Sequence, residues 1–156
     1  IDNKQALANS YEELSVKFGS SVSLSPFIGN TGIEMILGIT KDEQFGPLIL
    51  IGFGGIYTEV FNQVILLMPP FDCQVVRNAL RELPHYNILH GVRGESAVDI
   101  ESYCKAAVGL SDLALAFGDC IDEMDINPVK VMAKGCIGLD ALLIRGQKQI
   151  LERECS

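Results

Sequence analysis

Apolar and polar positions change period several times along the 156 residues, and each change marks an element. Leu7, Tyr11, Leu14 and Phe18 recur at intervals of four and three, which predicts a helix over residues 2–18 with one face packed and Gly19 as its stop. Val22 to Ile28 is expected as a strand leading into the turn Gly29-Asn30-Thr31-Gly32. Ile33, Met35, Leu37 and Ile39 alternate with Glu34, Ile36, Gly38 and Thr40, and Leu48 to Phe53 follows across a turn, so the two stretches predict an antiparallel hairpin. Val64 to Met68 is a further strand, stopped by Pro69-Pro70. Asp72 is placed to cap a helix reaching Leu83, with Phe71 and Val76 as a hydrophobic staple and Pro84 as terminator. Ser96, with Asp99 three residues on, opens the longest helix, whose stripe Ile100, Tyr103, Cys104, Ala107, Ala114 and Phe117 should be buried before Gly118. Met124 and Ile126 belong to a strand that Pro128 should interrupt, and Val129, Val131, Ile137 and Leu139 read as a second strand doubling back through Lys134-Gly135. Helices alternating with antiparallel hairpins predict an α+β class.

Composition narrows the setting. A chain that is 48% hydrophobic forms a globular core, and no repeat, low-complexity run or long linker divides it. Twelve basic against twenty acidic residues, net −8, argue against nucleic acid or an anionic membrane as partner, because both bind through phosphate neutralisation. The longest apolar runs, 48–57 and 64–71, are too short to span a bilayer and Ile1 begins no signal peptide, so a cytoplasmic location is expected. The five cysteines, at 73, 104, 120, 136 and 155, have no close pair, which predicts reduced, mostly buried thiols. His85 and His90 lie five apart, a spacing that suits surface positions better than a zinc motif.

Several residues carry chemistry. Asp125-Ile126-Asn127-Pro128 and the returning segment would bring Asp125, Asn127 and Asp140 together, a set of hard oxygen donors that suits Mg²⁺ sharing phosphate oxygens and water. The plainer reading is a polar strand end entering a turn, with Asp140 bonded to turn amides. Glu34 is the single charge in its apolar strand and faces either water or a ligand. Gly52-Phe53-Gly54-Gly55 weakens a strand end unless the backbone turns sharply or approaches something closely, and it matches neither the Walker loop nor the dinucleotide fingerprint. Arg93, between Gly91 and Gly94, is either a solvated loop residue or a fork for phosphate oxygens.

Five motifs follow one another in a single order: Gly32-Ile33-Glu34-Met35, Asp42-Glu43-Gln44-Phe45-Gly46-Pro47, Gly52-Phe53-Gly54-Gly55-Ile56-Tyr57-Thr58-Glu59-Val60, Gly91-Val92-Arg93-Gly94 and Asp125-Ile126-Asn127-Pro128. The series resembles the ATP-grasp region of the ADP-forming acyl-CoA synthetases, among them acetate–CoA ligase, over roughly residues 22–144. The resemblance implies the C-terminal part of an ATP-grasp fold over residues 1–144, followed by a tail at 145–156. It also implies ATP or ADP and Mg²⁺ as cofactors, and a CoA-binding domain or subunit as partner. By position it implies that Asn127 and Asp140 are metal ligands and that Arg93, Asp125 and Glu59 stand at the phosphoryl path, while Glu34, Gly54 and Gly55 meet the nucleotide. The implied reaction turns acyl-CoA, ADP and phosphate into acid, CoA and ATP by way of a phosphohistidine, which neither His85 nor His90 matches. The earlier subdomain, with its phosphate-binding lysine, would lie before Ile1, so these residues are expected to have no turnover of their own. Ser25-Pro26-Phe27 and Asn62 depart from the family pattern. They leave as alternative a non-catalytic regulatory or assembly module, such as fused protein acetyltransferases contain, or half of an interface with a CoA-binding partner.

Overall fold

The computed structural model describes residues 1–55, 64–92, 94 and 96–146. They form two compact units, 1–30 and the remainder. In the first, α1 (Lys4–Phe18) is capped by Asn3, whose side chain accepts from Ala6 N at 2.8 Å, and closed at Gly19, whose N–H donates to Ser15 O. No residue of α1 is buried, so the face marked by Leu7, Tyr11 and Leu14 is present but does not pack as expected. The strand expected over Val22 to Ile28 does not form: the segment joins no ladder among the described residues, and β structure needs a partner for its amides.

The second unit is a mixed-length antiparallel sheet with two helices on one face. The hairpin β1 (Ile33–Asp42) and β2 (Gly46–Phe53) forms as the alternation predicts, and Asp42 holds its turn by accepting from Gln44 N and Phe45 N. The sheet runs β3 (Val64–Leu67), β2, β1, β4 (Ile121–Val131), β5 (Cys136–Gly138), and β6 (Ala141–Arg145) also pairs with β4. Asp72 caps α2 (Cys73–Glu82) through Gln74 N and Val75 N, and Val76, Leu80 and Leu83 are buried as the stripe requires.

The longest helix, α3 (Ile100–Phe117), starts later than predicted, because Asp99 and not Ser96 is its cap. Asp99 accepts from Ser102 N (3.0 Å), Ser102 Oγ (2.6 Å) and, across the fold, Gly135 N (2.9 Å), while its own amide donates to Met132 O (2.7 Å). Those tertiary partners keep Asp99 outside the helix, as its cap. Tyr103, Cys104, Ala107 and Ala114 are buried, but Phe117 is 55% exposed. Of the described cysteines only Cys104 is buried and all are free thiols.

The odd positions of β1, with Ile49, Ile51 and Val129, pack under α2 and α3 as one core. The even positions, Glu34, Ile36 and Thr40, lie on the face away from the helices and are half-buried. No helix among the described residues is long and apolar enough to cross a membrane.

Candidate functional site

β4 does not break at Pro128. The register runs Ile33, Met35 with Val131, Val129, then resumes with Leu37 and Ile39 opposite Ile126 and Met124. Asn127 and Pro128 together oppose the single residue Ile36, a β-bulge, so the donor that proline lacks falls where the ladder is already interrupted. From the helix side, the Tyr103 hydroxyl donates to Ile36 O at 2.6 Å and anchors β1 at this level. The expected interruption is therefore a bulge in a continuous strand.

Beyond the bulge the chain returns as β5 and β6 with a corner at Asp140. Asn127 N donates to Asp140 O (3.2 Å) and Leu139 N to Pro128 O (2.9 Å), while Ile126 pairs with Ala141 and Asp125 with Leu142. The backbone thus gathers Asp125, Asn127 and Asp140, as the sequence suggested. Asp140 Oδ1 accepts from Ala141 N at 2.9 Å, and neither Oδ2 nor the Asn127 carboxamide is hydrogen-bonded among the described residues. Asp125 is pushed above the usual carboxylate range, first by desolvation and then by Glu123 and Asp140. Among the described residues no three His, Cys, Asp or Glu side chains could hold a metal by themselves. Two carboxylates and an amide instead fit a hard cation that keeps most positions for water and phosphate.

The other candidate residues lie along the same face. An open groove of about 410 Å³ passes over Ile36, Gly38, Thr40, Leu50, Leu66 and Asp125. Beside Glu34 the glycine turn leaves β2 and folds back: Gly54 N donates to Glu34 O at 2.9 Å, and a Cβ on Gly54 would stand 2.7 Å from Met35 O. Gly55 has φ +59°, and a Cβ there would collide with the Glu34 carboxylate. Glu34 is not simply solvated, because Lys130, its cross-strand partner, pairs with it at 3.2 Å. Lys130 was not singled out from the sequence; its signal was a lone cation between Val129 and Val131, whose partner lies 96 positions away. Glu59, Asn62 and Arg93 lie outside the described residues. His85 and His90 are exposed, with His90 edge-on to Tyr86 at 5.0 Å, consistent with surface roles.

The profile of one family, described as an ATP-grasp domain, matches residues 2–144. The chain belongs to that family. Over 125 residues this ATP-grasp chain is 38% identical to subunit beta of acetate–CoA ligase (ADP-forming) II from Pyrococcus furiosus, a match covering 79% of this chain and 52% of that one. Among solved structures, the dinucleotide-forming acetyl-coenzyme A synthetase 1 of Ca. Korarchaeum cryptofilum, with coenzyme A, acetyl-coenzyme A and a phosphorylated phosphohistidine segment, superposes with TM-score 0.81 at 28% identity, over 93% of this chain and 67% of that one. A second structure of that enzyme, with coenzyme A and Mg-AMPPCP, gives TM-score 0.68 at 35% identity, over 76% and 55%. The five-motif resemblance and the α+β ATP-grasp fold are thus borne out. The chain spans about half the length of the Pyrococcus subunit.

Proposed function

We propose that these residues form the nucleotide- and Mg²⁺-binding face of an ADP-forming acid–CoA ligase, the enzyme that converts acyl-CoA, ADP and phosphate into acid, CoA and ATP. The observation that carries this reading is the oxygen-donor corner of Asp125, Asn127 and Asp140, whose Asp125 lines an open groove on the sheet face that also carries Glu34. Support comes from the Pyrococcus subunit and from the Korarchaeum relative, which holds Mg-AMPPCP.

In this reading Asn127 and Asp140 hold Mg²⁺, and Asp125 adds negative charge beside the phosphoryl path. Glu34, Gly54 and Gly55 receive the nucleotide, the glycines because only they let the turn fold against Met35 O and the Glu34 carboxylate. Glu59 and Arg93 complete the phosphoryl region by resemblance. Mg²⁺, when bound, offsets charge on the transferring phosphoryl group. The phosphocarrier histidine and the CoA site belong to another domain or subunit, and turnover belongs to the complete cytoplasmic enzyme. Residues 1–144 are the ATP-grasp part and 145–156 a tail.

Calorimetric titration of Mg-ATP into the complete enzyme tests the reading. Binding that requires Mg²⁺, and an Asp140→Asn variant that needs more Mg²⁺ at unchanged Tm, is expected. Nucleotide binding by neither protein, or an Asp140→Asn variant that only melts earlier, would overturn it.

A further inference from the structure

The proposed nucleotide face is rich in carboxylates: Glu34, Glu123, Asp125 and Asp140 all lie on it or at its corner. A polyphosphate would be repelled by Glu34 unless something neutralised it. Lys130 is placed for that. It stands directly across the ladder from Glu34, with Nζ 3.2 Å from Oε1. The lysine side chain is 9% exposed and the glutamate 35%, so the ammonium lies behind and the carboxylate in front. The front of that carboxylate rests on Gly55, where no Cβ fits, and the Glu34 carbonyl takes the amide of Gly54.

Stability does not require this arrangement. Burying an ammonium costs several kcal/mol, and exchanging a buried ion pair for apolar residues is often neutral or stabilising. What the pair supplies is a neutralised carboxylate with one orientation, wedged between a cation and a glycine turn. A carboxylate so held accepts hydrogen bonds from sugar hydroxyls without repelling the phosphates beyond them.

We propose that Lys130 is a positioning residue for nucleotide binding, acting through Glu34 on the Gly54-Gly55 turn. The inference rests on the nucleotide-binding reading above and goes beyond it, since it assigns a role to a residue that need not touch the ligand. The complete enzyme is titrated with Mg-ATP as wild type, Lys130→Met, Lys130→Arg, Glu34→Gln and the double variant Lys130→Met/Glu34→Gln, with melting curves taken without nucleotide. Lys130→Met should weaken Mg-ATP by about tenfold, ~1.4 kcal/mol. It should raise KM for nucleotide far more than it lowers kcat, and Lys130→Arg should recover most of the loss. The double variant should bind no worse than Glu34→Gln, because lysine acts only through glutamate. Wild-type affinity in Lys130→Met, or losses that add in full in the double variant, would overturn the proposal. Should methionine impair folding, Lys130→Gln gives the same comparison with a polar tip. Failure of the wild type itself to bind Mg-ATP would sink the nucleotide reading instead, which separates the two.

Discussion

Tyr103→Phe separates the role of the bulge from that of the core. The tyrosine is fully buried in α3, and its hydroxyl donates at 2.6 Å to Ile36 O, the residue opposite Asn127 and Pro128. Phenylalanine keeps the ring and creates almost no cavity, so the change removes only the hydroxyl's contacts with Ile36 O and the Gly52 backbone. Losing the hydroxyl's hydrogen bonds costs about 1–2 kcal/mol. The loss should appear as a lower Tm, smaller in degrees the larger the unit that unfolds. If that bond also holds β1 against the bulge, Asn127 loses its fixed place and Mg-ATP affinity should fall with the stability. Leu80→Ala is the control: Leu80 is fully buried in α2, away from the bulge, and should cost more, about 2–5 kcal/mol. Paired melting and calorimetry on the complete enzyme read both quantities. The expected pattern is a crossing, with Leu80→Ala less stable yet normal in Mg-ATP affinity and Tyr103→Phe more stable yet weaker in binding. Equal affinities in the two variants would refute the link between this hydroxyl and the site.

Three further outcomes follow from local chemistry. Asp99 is lowered from 3.8 to about 2 by hydrogen bonds from Ser102 Oγ and the amides of Gly135 and Ser102, so its contribution is complete above about pH 4 and lost as pH falls toward 2; denaturant melts across that window should flatten in Asp99→Asn. Asp125 is shifted the opposite way, so its charged form is strained; Asp125→Asn should leave Tm unchanged or raised at neutral pH while weakening Mg-ATP, and wild-type Mg²⁺ affinity should fall as acidification protonates the residue, both measurable by calorimetry. Ser111 Oγ is buried in α3 without a partner among the described residues, so Ser111→Ala should stabilise by about 1 kcal/mol in thermal melts, and a loss of stability would mean the hydroxyl is satisfied after all.

The parts legible in the sequence were those fixed by neighbours along the chain. The β1–β2 hairpin follows from alternation and the Asp42 turn, and α2 from Asp72 and its apolar stripe. The errors fall where distant groups decide. Ser96 and Asp99 are both capping residues, and the amide of Gly135 and the carbonyl of Met132 select the second. Pro128 reads as a strand breaker until Ile36 is seen opposite two residues. Val22 to Ile28 has strand composition but no ladder partner among the described residues. The site shows the same division: Asp125, Asn127 and Asp140 were legible because one hairpin joins them. Lys130 was not, because its meaning depends on a register between β1 and β4.

The aspartates themselves show how chemistry divides structure from function on this scaffold. Asp99 has three donors from the protein, and their hydrogen bonds stabilise its charge and take up most of its acceptor capacity. Asp125 and Asp140 are the same side chain in the opposite situation. Their segments are held by backbone bonds, Asn127 N to Asp140 O and Leu139 N to Pro128 O, so the corner forms without consuming Asp140 Oδ2 or the Asn127 carboxamide. Asp125 instead faces Glu123 and Asp140, neighbours that raise the cost of its charge. A fold that spends backbone hydrogen bonds to bring like charges together gains nothing from those charges alone. In the proposed reading it gains on cation binding, because the repulsion within the corner would become attraction for the metal.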